Sequence, residues 1–387
     1  MPSSPFPISR TPTPDRNPKV AIIADWLTNP GGAEKVVLAL AKAFPGAPIF
    51  TSVYDEAKMP GFEKLDIRTT YLQKLPTKIR NRHQLFPLLR ANAFRRLDLS
   101  EYDVIISSAS AEAKAVIKRP DAVHICYCHT PTRYYWSHYK DYVSSPGFGL
   151  LNPAVRVALP TLVGLMRRID LRAVAGVDHF IANSREVQKR IKTHYNRDST
   201  IIYPPVDINR MRPKNKVKKE DYYLVVGRQI PYKRIDLAIA ACTKLGRRLV
   251  VIGRGSEHDK LRAMAGPTIE FEYVDSDSEI VEYFQKAKGF IFTSEEDFGI
   301  TPVEAMAAGT PIIALARAGA LDYIQEGING VGFHEQTVEA VAAAIERFEN
   351  SSFDTQQISH DAKKFDQEKF ISDLQAYVAQ KQPQSHV

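Results

Sequence analysis

Short apolar runs alternate along the chain with amphipathic segments of helical period. In the first half, these runs predict strands at residues 19–24, 48–53, 102–107, 121–128, 177–184 and 200–203. In the second half, they predict strands, ending with the last clear one, at residues 222–227, 248–253, 269–274, 289–293 and 311–314. Buried strands separated by helices form parallel sheets with right-handed crossovers. The pattern therefore predicts an α/β fold in both halves.

A polar, lysine-rich stretch at residues 210–220 separates the two halves and indicates a domain boundary. The chain has 387 residues, which is too long for one ordinary core and suits two domains. We expect Rossmann-like domains at 18–205 and 206–365, with a C-terminal helix near 366–380 packing back on the first. Residues 1–17 are rich in Pro and Ser and lack the apolar core of a signal peptide, so we expect a disordered tail.

The composition, with 44% hydrophobic and 25% charged residues, is that of a globular protein. Three cysteines, Cys126, Cys128 and Cys242, give an odd number without metal-site spacing, so neither a disulfide framework nor a structural metal is expected. The sequence contains no apolar run of about 18 residues, and we expect a cytoplasmic protein, peripheral at most on the inner face of the plasma membrane. The net charge of +8 indicates nucleotides, phospholipid surfaces or nucleic acid as partners without choosing among them.

The stretch from residue 289 to 310 predicts a buried strand, a loop and a short helix. Thr301 suits the N-cap of that helix, Pro302 suits its first position, and Glu304 stands where a capping box places a glutamate. A helix that begins at the carboxyl edge of a parallel sheet directs free backbone N–H groups and the positive end of its dipole toward that edge. The stretch therefore predicts an anion-binding site.

Two glutamates, Glu296 and Glu304, flank this loop, which also contains Phe298, Gly299 and Ile300. Gly299 would allow a ligand to approach the backbone closely. Taken singly, Glu304 is explained by the capping box and Glu296 by an exposed loop position. The residues alone leave these interpretations open beside a role in binding.

Two strand ends in the first half carry further candidates. The loop after residues 19–24 contains Gly31 and Gly32 but lacks Gly-x-Gly-x-x-Gly, which counts against a nicotinamide or flavin enzyme. These glycines form either a plain tight turn or a place where a phosphate approaches a helix. His129 follows the strand at 121–128 and precedes an aromatic-rich loop that suits a sugar ring, although packing explains its aromatic residues equally well.

Arg228 and Lys233 follow the strand at residues 222–227. Because strand ends of a parallel sheet share one edge, both side chains should lie near residues 298–301. A guanidinium fork and a compact ammonium suit a pyrophosphate. The alternative is an exposed surface pair, which is the usual environment of charged residues.

Four motifs in the same order resemble family 4 of the retaining glycosyltransferases, which have two Rossmann-like domains facing each other across a cleft, the GT-B arrangement. Residues 296–304, Glu-Asp-Phe-Gly-Ile-Thr-Pro-Val-Glu, resemble the Glu-x7-Glu signature, and residues 227–233 resemble the Gly-Arg-x4-Lys element. The other two motifs are the interdomain segment, at Asn183-Ser184 with Tyr203-Pro204-Pro205-Val206-Asp207, and the first glycine loop, at Gly31-Gly32-Ala33-Glu34. Residues 126–136 resemble the branch that contains bacterial O-antigen and exopolysaccharide mannosyltransferases.

The resemblance implies a role for each matched residue. Glu304 would bind the nucleotide ribose, Glu296 would lie beside the donor sugar, and His129 would lie near the sugar hydroxymethyl group. Arg228 and Lys233 would bind the donor diphosphate. The other donor-site candidates are Gly31, Gly32, Phe298, Gly299, Ile300, Thr301 and Arg254. The acceptor-side candidates are Asp25, Trp26, Arg133, Tyr134 and Trp136.

The resemblance also implies the reaction. A hexose, with GDP-mannose the favoured donor, would move to a glycan or lipid-linked acceptor with retention, by front-face substitution and without a cofactor or a required metal. A nucleotide-sugar epimerase or a phosphorylase of the same architecture remains an alternative. A basic nucleic-acid-binding protein, suggested by charge alone, is a third class, although the resemblance implies no nucleic-acid partner.

The segment at residues 72–99 mixes basic and apolar side chains. The basic ones are Lys74, Lys78, Arg80, Arg82, Arg90, Arg95 and Arg96. The apolar ones are Leu85, Phe86, Leu88, Leu89 and Phe94. Such a mixture is typical of a surface that docks on anionic lipid, and it also fits a helix pair with its apolar side in the core.

Overall fold

Two parallel sheets follow one another along the chain. The computed structural model describes residues 18–80, 86–136, 152–213, 217–274 and 276–382. The strands of the first sheet are β1 Val20–Ala24, β2 Ile49–Thr51, β3 Ile67–Thr69, β4 Val104–Ala109, β5 Val123–Cys128, β6 His179–Ala182 and β7 Ser199–Ile201. Those of the second are β8 Tyr223–Val226, β9 Leu249–Ile252, β10 Ile269–Glu272, β11 Gly289–Phe292, β12 Ile312–Leu315 and β13 Gly330–Phe333. Neighbouring strands pair in parallel in both sheets, which confirms the predicted α/β class.

Helices connect the strands on both sides of each sheet. The first domain contains α1 Gly32–Ala43, α2 Thr77–Arg80, α3 Pro87–Arg95, α4 Asn152–Ala175 and α5 Arg185–Tyr195. The second contains α6 Ile208–Met211, α7 Ile235–Leu245, α8 His258–Met264, α9 Asp277–Lys286, α10 Ile300–Ala307, α11 Val338–Glu349 and α12 Thr355–Asp361, and α13 Gln367–Lys381 ends the described chain.

Helix α5 illustrates how the sequence sets these boundaries. Its N-cap is Ser184, whose hydroxyl accepts a hydrogen bond from the Val187 amide at 3.1 Å, and Asn196 ends the helix in the left-handed conformation. Both are residue types that favour these positions because they supply a cap oxygen or tolerate positive φ. The sequence of α5 thus marks both of its ends.

The strands are apolar along their whole length because both faces of each sheet are covered. Ile22 and Ile106 pack in one cluster of the first domain, whereas Ile23 and Ile105 pack in another. Successive side chains of a strand point to opposite faces, so a strand buried on both faces has no polar alternation. This explains the continuous apolar runs of the sequence.

The strand order determines where each sheet can bind a ligand. The first sheet has the order β3-β2-β1-β4-β5-β6-β7, and the second has the order β10-β9-β8-β11-β12-β13. In each, the chain order reverses once, between β1 and β4 and between β8 and β11. Open parallel sheets bind ligands at such switch points, in the crevice beyond the carboxyl ends of the two strands.

The chain crosses between the domains twice, at adjacent places. The Val206 amide donates to the Phe365 carbonyl at 2.9 Å, and the Gln367 amide donates to the Val206 carbonyl at 3.0 Å. After the second crossing, α13 packs against α1, and its buried Phe370, Leu374 and Val378 join the core of the first domain. The two crossings therefore form a narrow hinge between the domains.

Two strands of the structure were not predicted from the sequence. Strand β3 was not predicted. Strand β13 follows the run at 311–314, so the prediction of that run as the last clear strand was wrong. Strand β13 contains two glycines, which favour turns over strands. A Cβ on Gly330 would lie 2.0 Å from the Ile312 carbonyl oxygen, so the close approach of β12 requires glycine there.

The basic segment at residues 72–99 divides between core and surface. Arg90 and Phe94 are buried, and Arg90 Nε lies 2.8 Å from Glu112 Oε2, so their prediction as surface groups was wrong. Phe86, Leu88 and Leu89 are exposed, as are the basic side chains of Lys74, Arg95 and Arg96. Arg82, Leu85 and the Lys78 side chain lie outside the described part. Among the described helices, none combines the length and the apolar character that a membrane crossing needs.

Candidate active site

The N-termini of α1 and α10 face each other across the interdomain cleft. They follow β1 and β11, so each helix begins beside the switch point of its own sheet. The helices approach so closely that a Cβ added to Gly32 would lie 2.9 Å from Ile300 Cδ1. Two positive dipole ends and two sets of free N–H groups therefore converge on one place, as suits an anion.

Helix α10 begins two residues earlier than the sequence predicted. Its N-cap is Gly299 with φ 86°, and no side chain caps it, so the predicted Thr301 cap with a Glu304 capping box was wrong. A Cβ on Gly299 would lie 2.9 Å from the Tyr323 hydroxyl and 3.1 Å from the Phe292 ring. Left-handed backbone and close packing both require glycine at this loop, which fixes the helix start.

Glu304 faces the cleft instead of the helix cap. Its Oε1 lies 2.5 Å from Lys35 Nζ of the first domain and 3.6 Å from Arg210 Nη2, and its side chain is only 11% exposed. The carboxylate is therefore available to a ligand that enters between α1 and α10. The structure therefore excludes the capping-box interpretation of Glu304 and leaves the interpretation as a binding residue.

Glu296 and Lys233 form an ion pair at the β8/β11 switch point. Lys233 Nζ lies 2.5 Å from Glu296 Oε1, and both side chains are largely buried. The Thr293 hydroxyl donates to the Lys233 carbonyl at 2.9 Å, which joins the two loops. Lys233 and Glu296 are therefore not exposed loop residues. Arg228, on the same loop as Lys233, is exposed at the cleft.

His129 lies at the β1/β4 switch point of the first domain. Its Nε2 lies 2.7 Å from the Ser108 hydroxyl, and its carbonyl accepts a hydrogen bond from Asn183 at 3.1 Å. Burial lowers the pKa of His129 to about 4, so the imidazole is neutral at pH 7. It can exchange hydrogen bonds with a sugar hydroxyl but supplies no positive charge.

Histidine burial also predicts how stability depends on pH. Burial lowers the pKa of His124, on β5, to about 4, against an ordinary value of 6.5. Because the folded pKa is the lower one, the stabilising contribution is complete above pH 6.5 and is lost as the pH falls through 4.

We expect His124→Gln to flatten the decline of unfolding free energy over this window. Denaturant unfolding at several pH values measures the slope, with the exposed His334→Gln as control, and equal slopes in wild type and His124→Gln would contradict the assignment.

Glu34 lies in the first glycine loop and was not among the predicted site residues. It lines a small cavity with Asp25, Trp26 and His129 at the end of β1. Burial raises the pKa of Glu34 to about 7, against the lowering effects of its backbone N–H and of Arg228. A carboxyl group with a raised pKa thus faces the cleft from the first domain.

Two of the predicted acceptor-side candidates, Asp25 and Trp26, follow β1, and the others lie in the loop after β5. Asp25 accepts hydrogen bonds from the backbone amides of Ser110, Ala111 and Ala113 at 2.7 to 2.9 Å, so its carboxylate shapes a loop. Trp26 lines the small cavity, and the Arg90 guanidinium lies 5.2 Å from its ring centre.

The aromatic loop after β5 contributes less than predicted to the cleft. The Trp136 indole donates to Asp170 at 2.8 Å and stacks on His194, so its prediction as an acceptor contact gives way to packing in the first domain. Tyr134 is 39% exposed and remains a candidate. Arg133 pairs with Asp297 of the second domain, at 2.5 Å between Nη2 and Oδ2.

The remaining donor-site candidate, Arg254, follows β9. It is exposed, and its guanidinium lies 4.3 Å from the centre of the Tyr273 ring, which follows β10. A separate depression of about 300 Å³ lies between β9, β10 and α9 and is lined by Glu220, Glu270 and Glu282 among others. Its acidic lining does not suit a diphosphate, so the β8/β11 crevice is the better site.

Two family descriptions match the chain in succession. Residues 30–210 match "Glycosyltransferase Family 4", and residues 207–365 match "Glycosyl transferases group 1". Together the matches cover residues 30–365, which contain all the described strands except β1.

Individual proteins are similar over part of the chain. D-inositol 3-phosphate glycosyltransferase of Mycobacterium marinum is 26% identical over 201 residues, which are 46% of this chain and 43% of that protein. O-antigen chain mannosyltransferase RfbU of Salmonella typhimurium is 31% identical over 147 residues, 35% of this chain and 41% of that protein. The matched region thus spans less than half the length of these relatives.

Solved structures share the fold over nearly the whole chain. HepE of Anabaena, in complex with UDP and glucose, has a TM-score of 0.67 at 19% identity and covers 94% of this chain and 100% of its own. Sucrose-phosphate synthase of Thermosynechococcus elongatus has a TM-score of 0.68 at 17% identity, covering 93% and 98%. These similarities confirm the predicted two-domain GT-B fold.

Proposed function

The chain belongs to the family 4 glycosyltransferases of the GT-B fold, and we propose that it transfers a hexose from a nucleotide-sugar to a glycan or lipid-linked acceptor with retention. The observation that carries this proposal is the convergence at the β8/β11 switch point. There the Lys233–Glu296 pair, the N-terminus of α10 and the carboxylate of Glu304 face the N-terminus of α1.

In this proposal, the donor diphosphate lies between the two helix N-termini. Arg228 and Lys233 provide cations, and the first amides of α10 provide N–H donors where negative charge builds on the leaving phosphate. Preorganised charges of this kind are among the largest contributions to enzymatic rate. Glu304 then lies at the position of the ribose hydroxyls.

The chemical step is a front-face substitution. The bond between the sugar anomeric carbon and the phosphate oxygen breaks, while the acceptor oxygen bonds to the same face of that carbon. The acceptor proton passes to the departing diphosphate, so no protein nucleophile is needed. Neutral His129 and the Glu34 carboxyl group line the first-domain side, where they hold sugar hydroxyls.

The proposed donor is GDP-mannose, and the acceptor is a growing cell-surface glycan. The likeness to an O-antigen chain mannosyltransferase supports mannose, and HepE, crystallised with UDP-glucose, supports nucleotide-sugar chemistry in this fold. A thermal-shift panel of GDP-, UDP- and ADP-sugars tests the donor, since a ligand at 100 times its Kd adds about 2.7 kcal/mol. A GDP-sugar should give the largest shift. A panel without any shift would refute the donor site, and conversion of the donor without acceptor would favour an epimerase.

Glu304→Gln tests the ribose contact. Because charge-assisted hydrogen bonds are about twice as strong as neutral ones, we expect about tenfold weaker donor binding. The melting temperature should be nearly unchanged, since the lost partner Lys35 is about half exposed and exposed pairs stabilise little. Titration calorimetry with the donor measures the change.

The matched control is the exposed Glu295→Gln in the same loop, which should bind the donor as wild type does. Unchanged donor affinity in Glu304→Gln would remove the residue from the donor site. A melting temperature that falls by many degrees would assign Glu304 a structural role instead.

A further inference from the structure

Asp297, between Glu296 and Phe298 of the donor loop, is held by arginines of the other domain. Its Oδ2 accepts hydrogen bonds from Arg133 Nη2 at 2.5 Å and Nε at 3.2 Å. Its Oδ1 accepts one from Arg190 Nη1 at 2.5 Å. Both carboxylate oxygens are thus used across the cleft, and the Asp297 side chain is only 11% exposed.

Arg190 is itself fixed within the first domain. Arg190, on α5, also bonds Glu186 one turn earlier through Nε at 2.9 Å, and its Nη1 lies 3.4 Å from the Thr130 hydroxyl. Arg133 belongs to the loop that follows β5 and His129. The Asp297 carboxylate therefore meets two guanidinium groups, of which Arg190 is held in place by its own domain. Guanidinium groups bind carboxylates with defined geometry.

A second cross-domain pair combines a buried carboxylate with an exposed arginine. Asp322 accepts hydrogen bonds from the Arg185 amide at 3.1 Å and from its Nε at 2.6 Å, and the Arg185 side chain is 65% exposed. Solvent screens exposed pairs strongly, whereas partly buried pairs retain their attraction. Because Arg190 is only 12% exposed, its pair with Asp297 should be screened less by solvent than the Arg185–Asp322 pair.

The donor loop is also supported from its own domain. The Gly319 amide donates to the Glu296 carbonyl at 3.0 Å, and a Cβ on Gly319 would lie 2.3 Å from Phe298 Cα. The loop is thus held between the backbone behind it and the arginines in front of it. Loss of the arginine contacts would release only the side that faces the cleft.

We propose that Asp297 is a positioning residue that couples closure of the two domains to placement of the donor loop. When Arg133 and Arg190 bind its carboxylate, the first domain sets the position of Glu296 and Phe298, the neighbours of Asp297. Asp297 itself does not contact the donor. The catalytic part of this inference rests on the proposed glycosyltransferase function, whereas the closing contact stands on the cross-domain geometry.

The test compares wild type with Asp297→Asn in the full chain. The distance between spin labels on cysteines placed at exposed Glu101 and Lys260 reports the domain arrangement, because the native cysteines are buried. We expect a broader distance distribution in Asp297→Asn, both without ligand and with the nucleotide that the donor panel selects. In the transfer assay, kcat should fall about tenfold while the donor Kd changes less than threefold.

Three further variants keep the test decisive. Arg190→Gln and Arg133→Gln should each reproduce the broadening, and each should add little to Asp297→Asn, since coupled residues are not additive. Arg185→Gln, the control pair, should leave kcat within threefold of wild type. If Asp297→Asn does not fold, the two single arginine variants provide the same readout.

Wild-type distance distributions in Asp297→Asn, or unchanged kcat, would overturn the proposal, as would additive effects in the double variants. If no nucleotide binds, the proposed function fails, but the arm without ligand still decides whether Asp297 closes the cleft. The two failures are therefore distinguishable.

Discussion

Replacing Arg228 or Lys233 by alanine is expected to lower turnover on the order of 100-fold or more, as loss of a preorganised transition-state contact typically does. Lys233 lies in the β8/β11 crevice with its ammonium on Glu296. A donor diphosphate entering there would share that ammonium. Arg228, on the same loop, faces Glu34 across the cleft. Initial-rate assays with the selected donor measure the effect.

The two variants differ in what else they change. Lys233→Ala leaves a largely buried Glu296 carboxylate without its cation, so a lower melting temperature is expected as well. Arg228 is exposed, so its alanine variant should keep the wild-type melting temperature. The exposed Lys244→Ala on α7 is the control and should retain full turnover. Near-normal turnover in both Arg228→Ala and Lys233→Ala would contradict the diphosphate assignment.

Reversing the charge of Lys74, Arg95 and Arg96 is expected to weaken binding to anionic vesicles by about 3 kcal/mol, since each basic residue near such a surface contributes about 1 kcal/mol. We propose this surface because these side chains are exposed beside the equally exposed Leu88 and Leu89. Apolar side chains rimmed by cations are typical of interfacial docking, which a lipid-linked acceptor requires. Co-sedimentation with anionic and neutral vesicles measures the affinity.

The control reverses three exposed basic residues of the second domain, Lys244, Lys260 and Arg262, which should leave vesicle binding unchanged. High salt should weaken binding of the wild type, because screening reduces attraction to a charged surface. If wild-type protein stays in the supernatant with anionic vesicles at low salt, the surface does not dock on membranes. Equal loss in the control would indicate net charge without a specific surface.

The sequence predicted the parts of the fold that depend on local pattern. Strands buried on both faces produce continuous apolar runs, and helices such as α5 carry their own caps, so both were found from the residues. Strand β13 was missed because its glycines serve a close strand contact, which only the assembled sheet reveals. The start of α10 was misplaced because Gly299 is selected by the packing of Phe292 and Tyr323, which lie outside the helix.

The candidate site was predictable where its residues share a strand end. Arg228, Lys233 and Glu296 follow neighbouring strands, so their proximity follows from sheet topology. The pairs that cross the cleft were not predictable. Lys35 and Glu304 are 269 residues apart, and Arg133 and Asp297 are 164 apart.

Such contacts depend on the relative orientation of two domains, which no local pattern encodes. Arg133 illustrates the difficulty, since the family resemblance made it an acceptor-side candidate. The described structure instead places its guanidinium on the donor loop. One signal could have indicated this pairing: basic residues in the first domain, and an acidic residue within the motif at residues 296–304 of the second domain.

The most direct test of a donor diphosphate site is a calorimetric comparison of a nucleoside diphosphate with its monophosphate, using the base that the donor panel selects. In the proposed site, both ligands would offer the same base and ribose to Glu304, but only the diphosphate would reach Arg228, Lys233 and the N-terminus of α10. The diphosphate should bind wild-type protein at least tenfold more tightly, with one site per chain, and this advantage should disappear in Arg228→Ala. Equal affinities for the two nucleotides, or no binding of either, would contradict a nucleotide-sugar site in this cleft.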